Sequence, residues 1–168
     1  MNLYAFCENN PACLIDALGM RVYVRKHMPS LEPPGGWTTP GSRAETVYRP
    51  QRYEVKESID KNGKLSFRVE IIPDDLCVDV YFKTGLASMW AMNYEKDHIS
   101  VATRWDRALH EFKAEVERIF DCPDAARRQK RCLEEALTRT INELLRENFA
   151  YDAPGGPHDL QNNSSLDL

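Results

Sequence analysis

The sequence predicts an α+β fold: an antiparallel β-meander of about 3–5 strands packed with a long C-terminal antiparallel helical hairpin. Three observations carry this. Apolar residues alternate along 65–71, where Leu65, Phe67, Val69 and Ile71 share one face. Asn62-Gly63 supplies the positive φ angles of a tight hairpin turn. From Gly85 onward the apolar period lengthens from two to about 3.6.

Taken in order, residues 2–8 fit a short strand. Asn10 caps Pro11, a residue favoured at a first helical position, and Gly19 closes a short helix over 11–18. In 20–27, Val22 and Val24 alternate with Tyr23 and Arg25, the pattern of a strand. The stretch 29–43 holds Pro29, Pro33, Pro34, Pro40, Gly35, Gly36 and Gly41 around Trp37, and such a composition blocks regular structure. It is therefore a long loop. Two strands follow around the Asn62-Gly63 turn, and after Pro73-Asp74-Asp75 a third strand places Val78, Val80 and Phe82 on its core face.

The helical part begins with a short buried helix over 86–94, capped by Thr84. A longer segment, 98–120, puts Val101, Trp105, Leu109, Phe112, Val116 and Ile119 on one stripe. Asp121 then caps a second long helix, about 122–148, with Leu133, Leu137, Ile141, Leu144 and Leu145 as its stripe. The short link makes the two an antiparallel hairpin. Residues 1–150 form one domain, with strands mainly within 2–83 and helices within 86–148. The remainder, 151–168, rich in Pro, Gly, Asn and Ser, reads as a flexible tail.

At 168 residues, with 42% hydrophobic and 29% charged residues, the chain can bury one ordinary core. No apolar run reaches the roughly 20 residues of a membrane span, and no basic flank precedes an apolar stretch at the N-terminus. Cys7, Cys13, Cys77, Cys122 and Cys132 lack metal-finger spacing, so they read as reduced thiols of a cytoplasmic protein. Cys77 and Cys132 read as small core fillers. Met89, Trp90 and Met92 likewise read as core.

Catalytic and cofactor motifs are sparse. Glu54-x-Lys56 and Pro73-Asp74 are parts of a metal-dependent nuclease motif, but in reversed order. His110-Glu111 begins a zinc-protease motif whose second His is replaced by Ala114. Asp106 and His110, four apart, share a helical face and could form an acid–base pair. With Glu111 and Asp79 they support a third reading, a metal-dependent hydrolase. The expected catalytic, cofactor and metal assignments are none.

The informative feature is Arg127, Arg128, Lys130 and Arg131. Four cations near the positive end of a helix dipole cost a few tenths of a kcal/mol each. They call for anionic compensation, either from Glu115, Glu117 and Asp121 or from a partner. Trp37, on its proline-stiffened loop, is the second candidate contact, or else a lid on the sheet. The leading expectation is a non-enzymatic protein-binding factor, such as an adaptor, an inhibitor or an immunity-type protein, facing an acidic protein surface. The alternative is a nucleic-acid-associated protein using the same basic helix start. A net charge of −4, from 22 basic and 26 acidic residues, argues against a wholly phosphate-gripping surface. Self-association is also expected to be open to this chain, because the helical stripe is long for a small sheet to cover alone.

Overall fold

A computed structural model of the chain describes residues 22–27, 31–36, 44–82 and 89–158, with backbone only over 89–94. The predicted strand at 2–8, the helix at 11–18, Trp37, Thr84, Cys7 and Cys13 lie outside the described residues, as do 159–168. The elements run β1 (Val22–Lys26), β2 (Ala44–Tyr48), β3 (Arg52–Ile59), β4 (Leu65–Ile72), β5 (Leu76–Phe82), α1 (Met89–Glu117), β6 (Phe120–Asp121) and α2 (Pro123–Asp152). The class is α+β, as the patterning implies.

The strands form two three-stranded sheets, ordered β1-β5-β2 and β3-β4-β6. The predicted meander therefore divides at its third strand. β3 and β4 pair antiparallel around Asn62-Gly63, but β5 leaves after a cis Ile72–Pro73 bond and joins the other sheet. There it lies parallel to β1 and antiparallel to β2. Local alternation specifies that a segment is a strand, not which strand lies beside it, and β1 and β5 are far apart in sequence. The sequence pattern does not reveal β2, because Ala44–Tyr48 mixes Ala, Glu and Thr with only one large aliphatic residue, Val47.

The chain divides into two compact units. The first comprises residues up to Pro50 together with Asp75–Thr103. Its core gathers Val22, Val24, Ala44, Leu76, Val78, Val80, Phe82 and Ala102, with Tyr48 and Ile99 packed against them. Val78 and Val80 are fully buried, as befits β-branched residues in a central strand. The second unit comprises Gln51–Asp74 and the chain from Arg104 onward. Its sheet buries Leu65, Phe67, Val69 and Ile71, the face read from alternation. The α1 stripe of Trp105, Leu109, Phe112 and Val116, with Ile119 beyond it, is buried in this unit, and the Phe112 ring meets Tyr53 at 4.7 Å.

Three details differ from expectation. The two predicted segments 86–94 and 98–120 become the single helix α1. The residue capping α2 is Cys122 rather than Asp121, which sits in β6 and accepts the Cys122 N–H at 2.7 Å. α2 also runs to Asp152, and His158 after it is buried, with its ring stacked on Tyr151 at 5.2 Å. The helices of the second unit are tied by the pair Arg104–Glu147 at 2.5 Å, in which Glu147 also accepts from the Tyr151 hydroxyl at 2.6 Å. Those two donors hold the Glu147 carboxyl below its usual range, Arg104 having the larger influence. Among the described residues, no helix is long and apolar enough to cross a membrane.

Two turns follow directly from composition. At Pro33-Pro34-Gly35-Gly36 the Gly36 N–H donates to Pro33 O at 2.9 Å, with Gly35 at φ 92°. That is the type II turn that Pro followed by Gly prefers. In the hairpin, Gly63 takes φ 80°, while the Asp60 carboxylate accepts the N–H groups of Asn62 and Lys64 at 2.8 and 2.9 Å.

Candidate partner-binding surface

The basic cluster opens α2. Pro123 stands in the first turn, where its missing N–H is harmless, and Asp124 adds the negative charge that end of a helix favours. The four cations then diverge. Arg127 Nη2 reaches Glu57 Oε2 on β3 at 3.3 Å. Lys130 Nζ bonds Glu134 Oε1 at 3.0 Å and lies 6.0 Å from the centroid of the Phe67 ring. Its stem is largely covered, so Lys130 packs as well as pairs.

Arg128 and Arg131 are exposed and have no ion-pair partner among the described residues. Arg128 lines an open groove of about 510 Å³. Glu115, Arg118 and Ile119 contribute from the end of α1 and beyond, and Arg128, Cys132 and Leu133 from α2. Ile119 and Leu133 give this groove an apolar strip between charged rims.

The expected internal compensators are used elsewhere. Glu115 pairs with Arg118 at 2.6 Å, Glu117 accepts the Val69 N–H at 2.9 Å, and Asp121 bonds the backbone of Cys122. The charge opposite the cluster comes instead from Glu57, seventy residues away from Arg127 in sequence. Helix spacing could reveal Glu134, but no sequence signal links Glu57 to Arg127, because a hairpin turn and α1 lie between them. Cys132 is exposed rather than a core filler, since it falls on the solvent side of the helical stripe, and Cys77 is half-buried.

The residues weighed for chemistry are divided between two places. Asp79 on β5 receives Arg25 Nε and Nη2 at 2.7 and 2.8 Å and faces His27 Nε2 at 2.7 Å. Burial pushes the Asp79 carboxyl up, but Arg25 and His27 together outweigh it and hold the group below its usual range. The His27 ring stacks on Tyr81 at 4.3 Å. This arrangement clamps β1 to β5, and it commits both carboxylate oxygens. Asp106 is fully buried, with His110 Nε2 at 3.6 Å from its Oδ1, longer than a hydrogen bond. Glu111 is exposed on α1. Asp106 and His110 could contribute two ligands to a metal, fewer than the three or four that protein zinc sites use. Comparison with protein-family models, with curated proteins and with solved structures found no match to this chain.

Proposed function

We propose that this chain is a non-enzymatic cytoplasmic protein-binding factor, of adaptor, inhibitor or immunity type, whose contact is the groove side of α2. The supporting observation is the split within the basic cluster. Arg127 and Lys130 have acidic partners inside their own unit, whereas Arg128 and Arg131 have none among the described residues. Arg128 beside the apolar strip of the groove, with the exposed Arg131 one turn along α2, suits an acidic surface that also offers an apolar side chain. Arginine's planar fork binds carboxylates bidentately, and the strip accepts the anchor.

The test compares two double variants in capture from the native host after nuclease treatment, at low and moderate salt. Arg128→Ala with Arg131→Ala is expected to weaken partner capture about tenfold or more while leaving the melting temperature unchanged. Arg127→Ala with Lys130→Ala is expected to lower stability instead, because the largely covered Lys130 stem packs near the Phe67 ring. Equal capture by wild type and the first variant would refute the reading. Captured material lost on nuclease treatment, with steep salt dependence, would replace the protein partner by nucleic acid.

A further inference from the structure

Among the described residues β3 is paired on one side only, and the register with β4 fixes the hydrogen-bonding phase of its other edge. In an antiparallel pair, residues alternate between those that exchange both backbone bonds with the neighbouring strand and those that turn both groups away. The Val69 N–H is turned away from β3, since it donates to Glu117 Oε1 at 2.9 Å. Val69 stands opposite Val55, so Val55 also turns its N–H and C=O away from β4, toward that other edge. Tyr53, Glu57 and Ile59 share that phase. The Asp60 N–H bond to Lys64 O, at 2.9 Å, agrees with it, because even-numbered residues bond inward. β3 has no strand on its other side among the described residues, and all eight of its residues are exposed or half-exposed.

We propose that this edge pairs with the same edge of a second copy of the chain, antiparallel about a two-fold axis at Val55. Val55 would exchange both backbone bonds with the partner's Val55, and Tyr53 with the partner's Glu57, for about six new bonds in all. Glu54 then stands directly opposite the partner's Lys56, and symmetry repeats the contact. These are the non-hydrogen-bonded sites, where facing side chains come closest. Neighbouring registers are worse. An axis at Lys56 or at Glu54 sets each of those charges against its own copy. An axis at Tyr53 opposes Arg52 to Glu54 but runs the ladder off the start of the strand. The longest register free of like-charge contacts is the one centred on Val55.

Charged residues on an edge strand discourage indiscriminate pairing, and here the same charges favour one identical partner. The apolar groups along this edge fit the same occupant. Tyr53 and Val55 are half-buried and Ile59 is 58% exposed, all on the face that carries the buried side chains of β4. A second copy would extend that face and cover them.

The experiment is sedimentation of the full chain over a range of concentrations, with Glu54→Lys and Lys56→Glu made singly and then mixed. The wild type is expected to dimerise, and each single reversal to weaken the dimer about tenfold or more, since two attractive contacts become repulsive. The mixture of the two variants is expected to recover a heterodimer, because every facing pair is again opposite in sign. Recovery also shows that both variants are folded. A wild type that stays monomeric at all concentrations would overturn the proposal. So would dimerisation that neither reversal weakens, or a mixture that gains nothing over its components.

Discussion

The two sheets use the same residue classes and are assembled in opposite ways. The β3-β4-β6 sheet is built on a local pair: a tight turn joins β3 to β4, only the two-residue β6 arrives from far along the chain, and the cross-strand charge pair Lys56–Glu70, at 2.8 Å, lies open to water. The β1-β5-β2 sheet is non-local, with its central strand paired on both sides by segments that precede it by many residues. Its charge cluster, Arg25–Asp79–His27, is half-covered, and Asp79 is only 17% exposed. Where a turn sets the register, ion pairs have little to add. Where the ends must be found across a long separation, a carboxylate held by two partners rejects slipped pairings, because a slip leaves it covered and unpaired.

Matched core truncations should give the largest effects. Leu76→Ala in the first sheet and Leu65→Ala in the second, both 1% exposed, should each cost about 2–5 kcal/mol. Hydrogen exchange should show the loss of protection centred on the substituted sheet, and equal loss in both sheets would erase the contrast between them. Asp79→Asn comes next, at about 1–3 kcal/mol, because Arg25 and His27 lose a charged acceptor. Its pH dependence has a definite sign. The folded carboxyl titrates below its unfolded value, so its stabilisation is present above about pH 4 and drains away as the pH falls further. Thermal melts of wild type and variant should converge at low pH. A difference that persists there would mean that Asp79 acts through packing rather than charge.

Gly63→Ala should cost about 1 kcal/mol by forcing a Cβ into positive φ, and the loss should be read in the β3–β4 amides. The smallest effect is expected from Glu70→Gln. Removing this exposed pair should leave the melting temperature within measurement error, in contrast to Asp79→Asn. A loss as large as that of Asp79→Asn would show that burial does not separate the two charge clusters.

The candidate surface was legible in part. Arg127, Arg128, Lys130 and Arg131 stand out in sequence because four cations at a helix start oppose its dipole. Which of them the fold consumes depends on where Glu57 and Phe67 arrive, and that depends on how β3 and β4 meet α2. Trp37 lies outside the described residues, so its role rests on composition alone.

By itself, the sequence determined the features that act at short range. Alternation marked β1, β3, β4 and β5, the Asn-Gly pair placed the hairpin, and the period near 3.6 marked the α1 stripe from Val101 to Val116. Each of these depends on residues within one or two turns or pleats of each other, where backbone sterics and solvent exclusion act directly. Only the tertiary structure decided that β5 leaves the meander, that Glu57 meets Arg127, and that β3 has β4 as its one strand neighbour among the described residues. Those outcomes arise from competition among segments distant in sequence. A strand's alternating pattern is equally satisfied by several neighbours, and the choice among them rests on the packing of the whole unit.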